Sequence, residues 1–288
     1  MIHLKMEYYK HRYVRNAIRI LMGQKYLKKF YSAHKTSSNT IYTLSFDVDF
    51  KNDVKALPWL VAQLNKYNLP GVFAVLGKYI EEFPEEHLEI VNCEQINPHE
   101  IINHTYSHPW NDETSPTRYW DKLSTFEKEK EIKDCQEICK NYLGCEPIGF
   151  RVPHFGAQFS KDIYPILSHL KFKYDSSTIA THVNNPNPFP VYGGLWEFPM
   201  SSCPLHPFDL FDTWHSLNRG PGHHKQPGEF YKMFLDLAEM AEKNGVYINF
   251  YLDPQDIYKN EDFIKLLEFL SKDKSRVATY SQILRRVR

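Results

Sequence analysis

The chain of 288 residues is too long for a small module and fits one large α/β barrel or two ordinary domains, since barrels of roughly 250 residues run as single units. A hydrophobic content of 42%, with 15% aromatic residues, supplies a core and excludes a disordered chain. Formal charge is zero and implies no nucleic-acid partner, but nine Lys/Arg against Glu7 alone leave residues 1–46 at +8 and the remainder at −8.

The opening lacks the uninterrupted apolar stretch that a secretory signal needs, and no run of about 18 apolar residues offers a membrane span, so a cytoplasmic location is expected. Cys93, Cys135, Cys139, Cys145 and Cys203 are odd in number and form no CxxC pair, which favours a reduced compartment. Cys135 and Cys139 stand four apart in a helical pattern and read as core.

Residues 1–38 read as a basic, tyrosine-rich helical extension carrying Ile18, Leu21 and Met22, separated by the polar run Thr36-Ser37-Ser38-Asn39 from a barrel domain over 39–288. Its charge suits an anionic membrane surface or an acidic partner, and a solvated helix packed on the outside of the barrel is the competing reading. From Thr40 onward the pattern becomes β then α, repeated. Thr40–Phe46 is β-rich; Asp53–Tyr67 places Leu57, Leu60, Val61 and Leu64 on one helical face, with Pro58 tolerated only in the first turn. Gly71–Leu76 and His99–Ile102 are further apolar runs. A long helix opens on a Ser124/Glu127 capping box, carries Ile132, Cys135, Cys139 and Tyr142 as its buried stripe, and ends at Gly144. Strands are expected at Pro147–Phe150, Phe172–Tyr174, Leu195–Phe198 and Val246–Leu252. Alternating elements of this kind call for a parallel sheet closed into a barrel, or an open doubly wound sheet; no Gly-rich phosphate turn follows the first strand to support the second form.

Four polar clusters come directly after expected strands: Asp47-Val48-Asp49, His104-Thr105-Tyr106-Ser107-His108, Arg151-Val152-Pro153-His154 and Asp253-Pro254. In a β/α barrel the loops that follow the strands open on one face, so these clusters converge. A helical turn would aim His104 and His108 to the same side, although among 14 histidines that spacing alone is weak. In an extended segment Asp47 and Asp49 project to the same face, so one can ligate a metal while the other stands ready as a base. Two imidazoles and one carboxylate, His104, His108 and Asp49, leave coordination positions open, as a catalytic metal site requires. A strand-end capping pair is the plainer reading of Asp47 and Asp49.

Thr43-Leu-Ser-Phe-Asp47-Val-Asp49, His99-Glu-Ile-Ile-Asn-His104-Thr-Tyr-Ser-His108 and Phe150-Arg151-Val-Pro-His154-Phe155 resemble the first three motifs of the polysaccharide deacetylase family, the NodB-homology or carbohydrate esterase 4 group, over about residues 40–256. The resemblance implies a single deformed (β/α) barrel of about seven strands and metal-dependent hydrolysis of an acetamido group on a sugar or glycan. It implies Asp49, His104 and His108 as metal ligands, Asp47 as catalytic base, Arg151 as the residue orienting that base, and the backbone N–H of His154 as an oxyanion donor. Zinc suits two imidazoles best, and cobalt, nickel or iron use the same ligands.

The sequence departs from the family where a histidine should donate a proton to the leaving amine: Phe250-Tyr-Leu-Asp253-Pro254 puts Asp253 there. A free Asp is ionised near neutrality, so Asp253 needs a raised pKa to serve. Three readings stay open: an N-deacetylase acting on a nucleotide- or lipid-linked precursor of surface polysaccharide, a non-catalytic carbohydrate-binding or scaffold protein on the same fold, and an O-deacetylase or small-amide amidase. The loop Ser201–Gln226, with His206, Trp214, His215, His223 and His224, reads as a substrate-covering rim, Asp175 as second layer or turn cap, and Trp196 as core. Oligomeric state is not legible.

Overall fold

The computed structural model describes residues 23–92, 98–155, 162–214 and 227–287. Cys93, His215, His223, His224 and the first 22 residues of the basic extension lie outside these.

Helix α1 spans residues 23–33, and the strands and helices then alternate: β1 (Tyr42–Val48), α2 (Lys51–Tyr67), β2 (Val72–Val75), α3 (Gly77–Glu82), α4 (Pro84–Val91), β3 (Glu100–Asn103), α5 (Thr125–Leu143), β4 (Gly149–Phe150), α6 (Ile163–His169), β5 (Tyr174–Asp175), α7 (Ala180–Val183), β6 (Phe189–Pro190), β7 (Trp196–Glu197), α8 (Glu229–Glu242), β8 (Ile248–Leu252), α9 (Pro254–Ile257), α10 (Glu261–Ser271) and α11 (Tyr280–Val287). The sheet order is β6-β7-β5-β4-β3-β2-β1-β8. Seven strands run parallel, and only β6 pairs antiparallel, with β7. The segment after β7 turns back onto β8, where Asn249 N–H reaches the Ser201 hydroxyl (3.0 Å) and Asp212 bridges Tyr251, so the sheet curls into the distorted barrel.

Every residue of β1 is buried, as a parallel strand covered on both faces requires. Its period of two sorts the side chains. Tyr42, Leu44, Phe46 and Val48 enter the large apolar cluster beneath the helices, while Thr43, Ser45 and Asp47 take the alternate positions. Around that polar column, Val72, Ala74, Ile102, Tyr174 and Phe198 join Tyr280, Ile283 and Leu284 of α11 in a second cluster, so the last helix plugs the barrel floor. Tyr174 and Ser281 both donate to Glu100 there.

The expected capping box of α5 is present, with Glu127 N–H to Ser124 Oγ (3.3 Å) and Ser124 N–H to Glu127 (2.8 Å), and Gly144 (φ 66°) ends the helix in the left-handed conformation. Its stripe is shifted: Leu143 is buried and Tyr142 is 44% exposed, because the stripe ends one position later than the apolar spacing implies. Cys135 and Cys139 are free, buried core residues. Helix α2 begins two residues before the expected Asp53, which carries Pro58 beyond the first turn. Proline there has no N–H for the Val54 carbonyl, a loss the helix tolerates because Val54, Leu57, Leu60, Val61 and Leu64 anchor it in the core. The short strands are trimmed to two residues at β4, β5 and β7, where a strongly curved sheet limits regular pairing.

The described part of the N-terminal extension is packed, not free. Leu27 and Tyr31 are fully buried in the main cluster, Gln24 donates to Asp236 (2.8 Å), and Tyr26 lies 5.1 Å from Phe208. Thr36 then ties the linker to Gly245 (2.6 Å).

Candidate metal centre and active site

Each of the four polar clusters stands at the C-terminal end of a strand on one rim of the barrel, the first beginning within β1 and not after it, and three of them meet. Asp47 is the last inward residue of β1, with Val48 closing the strand and Asp49 beginning the turn into α2. Asp53, one turn into that helix, accepts the backbone N–H of Asp49 (3.2 Å) and Phe50 (2.9 Å) through one oxygen and that of Gln255 (2.9 Å) through the other, so it clasps the turn after β1 to the turn after β8. Asn111 holds the same turn from the other side, donating to the Asp49 carbonyl (2.6 Å).

His104 and His108 do not lie on a helix. The loop between them is folded back by left-handed residues at Thr105 (φ 72°) and His108 (φ 49°), and Thr105 Oγ accepts the N–H of His108 (3.0 Å). Glu131 of α5 anchors the loop by accepting Ser107 N–H (2.8 Å) and Ser107 Oγ–H (2.9 Å), with Arg118 on its other flank. Gly77 allows the approach, because a Cβ there would stand 2.7 Å from the Tyr106 ring and 3.1 Å from the α5 backbone. Backbone strain of this kind costs roughly 1–3 kcal/mol per residue and persists only where neighbours enforce it.

The result is a converging donor set. His104 Nε2 stands 3.2 Å from Asp49 Oδ1, His108 Nε2 3.4 Å from Asp49 Oδ2, and one donor atom from each of the three residues lies within 4.8 Å of the others. His104 Nδ1 faces the Arg151 carbonyl at 2.8 Å, so Nδ1 carries the hydrogen and Nε2 presents its lone pair. That Nε2 and Asp49 Oδ1 are both buried without a hydrogen-bond partner. An imidazole nitrogen and a carboxylate oxygen, both buried and aimed at one point, fit a divalent cation. Burial alone would raise the Asp49 pKa, but the charges of His108 and His104 hold it well below the ordinary carboxylate range.

Asp47 Oδ2 is 3.9 Å from His104 Nε2, and its Oδ1 accepts from Arg151. Arg151 is completely buried, and it also donates to the Ser176 carbonyl (3.1 Å), Ser45 Oγ (2.9 Å) and Tyr280 OH (2.6 Å). The guanidinium is thereby fixed with one nitrogen aimed at Asp47. Burial raises the Asp47 pKa, and the Arg151 charge opposes the rise. Asp175 supports this layer from below: Ser177 donates to it (2.6 Å) and accepts the N–H of Val152 (2.9 Å).

His154 lies against the loop from His104 to His108, its ring 4.6 Å from that of His108. Burial and then the neighbouring His108 push its pKa down to about 4, so it is neutral near pH 7. Asp253 is buried at the start of α9, its N–H bonded to Thr213 Oγ (2.7 Å), whose hydroxyl in turn donates to the carboxylate (3.1 Å). Burial first, then repulsion from Asp53, Asp49, Asp256 and Asp47, raises the Asp253 pKa well above its ordinary value. In the rim loop, Trp214 stacks on Phe50 (6.3 Å, 6° between planes), while His206 turns to the buried Cys203 (3.8 Å). Trp196 is partly buried against the barrel-floor cluster. Asp53, Asn111, Glu131 and Tyr280 were invisible as site residues in the sequence. Only Asp53, four residues after Asp49 at a helix start, carried a local signal, since Asx side chains there accept orphan N–H groups.

Residues 34–175 match the sequence model described as polysaccharide deacetylase. No curated protein sequence matches the chain. Among solved structures, a candidate polysaccharide deacetylase from Mycobacterium smegmatis superposes with a TM-score of 0.72 at 20% identity, over 88% of this chain and 91% of that one. An allantoinase aligns with a TM-score of 0.63 at 10% identity, over 82% and 85%. A mutant of a carbohydrate esterase 4 pseudoenzyme with restored activity aligns at 0.54 and 14% identity, over 86% and 69%. No described helix is long and apolar enough to cross a membrane. The motifs and the sequence match over residues 34–175 make the chain similar to the polysaccharide deacetylases, and its barrel has the fold of a solved candidate deacetylase.

Proposed function

We propose that the protein removes the N-acetyl group from an acetamido sugar within a glycan or glycan precursor. The observation that carries this reading is the set of buried, unpartnered lone pairs on Asp49 and His104, with His108 beside them and Asp47 next to them. Asp49, His104 and His108 would hold one divalent ion, zinc by preference for two imidazoles, with cobalt, nickel or iron as substitutes. Such an ion supplies Lewis acidity toward an acyl carbonyl and lowers the pKa of water.

The chain's own groups account for the remaining steps. Asp47 takes the proton of the attacking water, and Arg151 keeps that carboxylate pointed at the reacting centre. The backbone N–H of His154 donates to the oxygen that gains negative charge. Asp253, whose pKa is raised by burial and by neighbouring carboxylates, donates from its acid form to the departing amine; a cation held at Asp49 would oppose that rise and narrow the pH range in which it serves. Release of acetate from free, nucleotide-linked and lipid-linked acetamido sugars, with Asp47→Asn as the inactive control, tests the reading. Equal turnover in that control would remove it.

A second reading has a specific observation in its favour. Asp253 occupies the position where the family's proton donor is a histidine, and one structural neighbour is a pseudoenzyme variant. Absence of turnover in the natural protein together with gain of turnover in Asp253→His would establish a binding protein on the deacetylase fold.

A further inference from the structure

Among the described residues, eight non-glycine residues have positive φ, and Thr105, His108, Trp110 and His154 bring four of these to one site. The first two aim the ligand loop. Trp110 (φ 76°) has no such explanation, because a bulky residue is a marked outlier there and its indole, 44% exposed, is not placed in a core by the distortion.

The backbone around it is fastened firmly. Trp110 N–H donates to the Ser115 carbonyl (3.0 Å) and Asn111 N–H to that of His108 (2.9 Å). The Trp110 carbonyl faces His154 Nε2 at 3.1 Å, and since a carbonyl only accepts, that nitrogen carries the hydrogen. The indole lies 5.0 Å from the His154 ring and 5.4 Å from Tyr119, itself 41% exposed. A rigid surface of two aromatic rings is thus held open to solvent, separated from the ligand His108 by the width of His154.

The charges around it are already committed. Arg118 is paired with Glu131 and lies near Glu127, Lys122 is paired with Asp121, and Lys78 donates to the Thr114 carbonyl. Among the described residues this rim therefore offers ring faces and not a cluster of cations. The C–H face of a pyranose is the complement of such a surface, being apolar and carrying its hydroxyls at the edge.

We infer that Trp110 and Tyr119 stack the pyranose ring next to the acetamido sugar, so that the protein reads a glycan longer than one residue. This rests on the deacetylase reading for what lies at the metal centre. The kinetic test uses zinc-loaded full chain with N-acetylglucosamine and its β-1,4 disaccharide. Trp110→Ala should lower the disaccharide-to-monosaccharide ratio of kcat/KM about tenfold through KM, Trp110→Phe should fall between, and Tyr192→Ala, an exposed aromatic remote from the site, should leave the ratio unchanged. Equal proportional losses on both sugars, or none, would overturn the inference.

Binding is read separately in Asp47→Asn protein by quenching of tryptophan fluorescence with the β-1,4 tetrasaccharide of N-acetylglucosamine. Quenching that disappears when Trp110→Phe is added supports the platform, even if no sugar is deacetylated and the catalytic reading fails. Absent quenching, or quenching that survives this change at unaltered melting temperature, overturns it.

Discussion

Arg151→Met probes the buried layer under the site most directly. The change keeps the aliphatic bulk but removes every donor, leaving the buried Asp47 carboxylate without its cation and Tyr280 OH, Ser45 Oγ and the Ser176 carbonyl without a partner each. Removing one partner of a buried ion pair costs about 3–5 kcal/mol. The hydroxyls recover part of their loss, since Tyr280 also donates to Asn249 (2.9 Å) and Ser45 also donates to the Phe250 carbonyl (3.1 Å). In a chain of this size each kcal/mol moves Tm by roughly 2–4 °C, so a fall of about 10–15 °C is expected at pH 8 in chelator. The sign with pH follows from Asp47. Its folded pKa is raised by burial, and losing Arg151 raises it further, so the penalty is small while Asp47 is protonated and grows as pH rises through its folded pKa. Scanning calorimetry of Arg151→Met, Asp47→Asn and the double variant from pH 5 to 8 measures this. A loss independent of pH, or additive losses in the double variant, would refute the account.

Three further outcomes are expected. Glu131→Gln should weaken zinc binding by about tenfold in calorimetric titration, since a single amide oxygen cannot accept the Ser107 N–H as well as the Ser107 hydroxyl and Arg118, while His104→Ala with His108→Ala should abolish binding. Asp253→Asn should slow deacetylation by about 100-fold or more, and in the natural protein the rate should fall with rising pH as the elevated Asp253 pKa is passed; near-full turnover in the variant would exclude Asp253 as the acid. Removal of residues 1–38 should lower Tm by stripping Leu27, Phe30 and Tyr31 from the core, whereas removal of residues 1–22 should leave these contacts intact; flotation of the two shortened forms and the full chain with anionic liposomes then tests membrane contact.

Legibility followed the range of the interactions involved. The capping box at Ser124, the β-rich run that becomes β1 and the helical face of α2 depend on neighbours a few residues away, and they read correctly. So did the convergence of Asp47, Asp49, His104 and His108, because a parallel barrel forces loops after strands onto one rim. What failed was local geometry set from a distance. The spacing of His104 and His108 suggests a helical turn, but Glu131, 23 residues beyond His108, and Asn111 hold the loop in left-handed turns instead. Tyr280 reaches Arg151 from 129 residues away, a contact that no pattern around either residue announces.

That difference in geometry bears on the chemistry. On a helix, His104 and His108 would share a face but leave their Nδ1 atoms to solvent, and both rings would turn freely. In the folded-back loop the His104 ring is pinned by the Arg151 carbonyl at 2.8 Å, so the residue that holds Asp47 also selects the tautomer of His104. Arg151 therefore acts on the centre twice, through its side chain on Asp47 and through its backbone on His104. Substituting its side chain should disturb the base far more than metal affinity, because the carbonyl remains. Zinc affinity of Arg151→Met within about threefold of the natural protein, alongside a large loss of turnover, is the outcome this division of labour requires; parallel losses of metal and activity would mean that the guanidinium supports the whole centre and not the base alone.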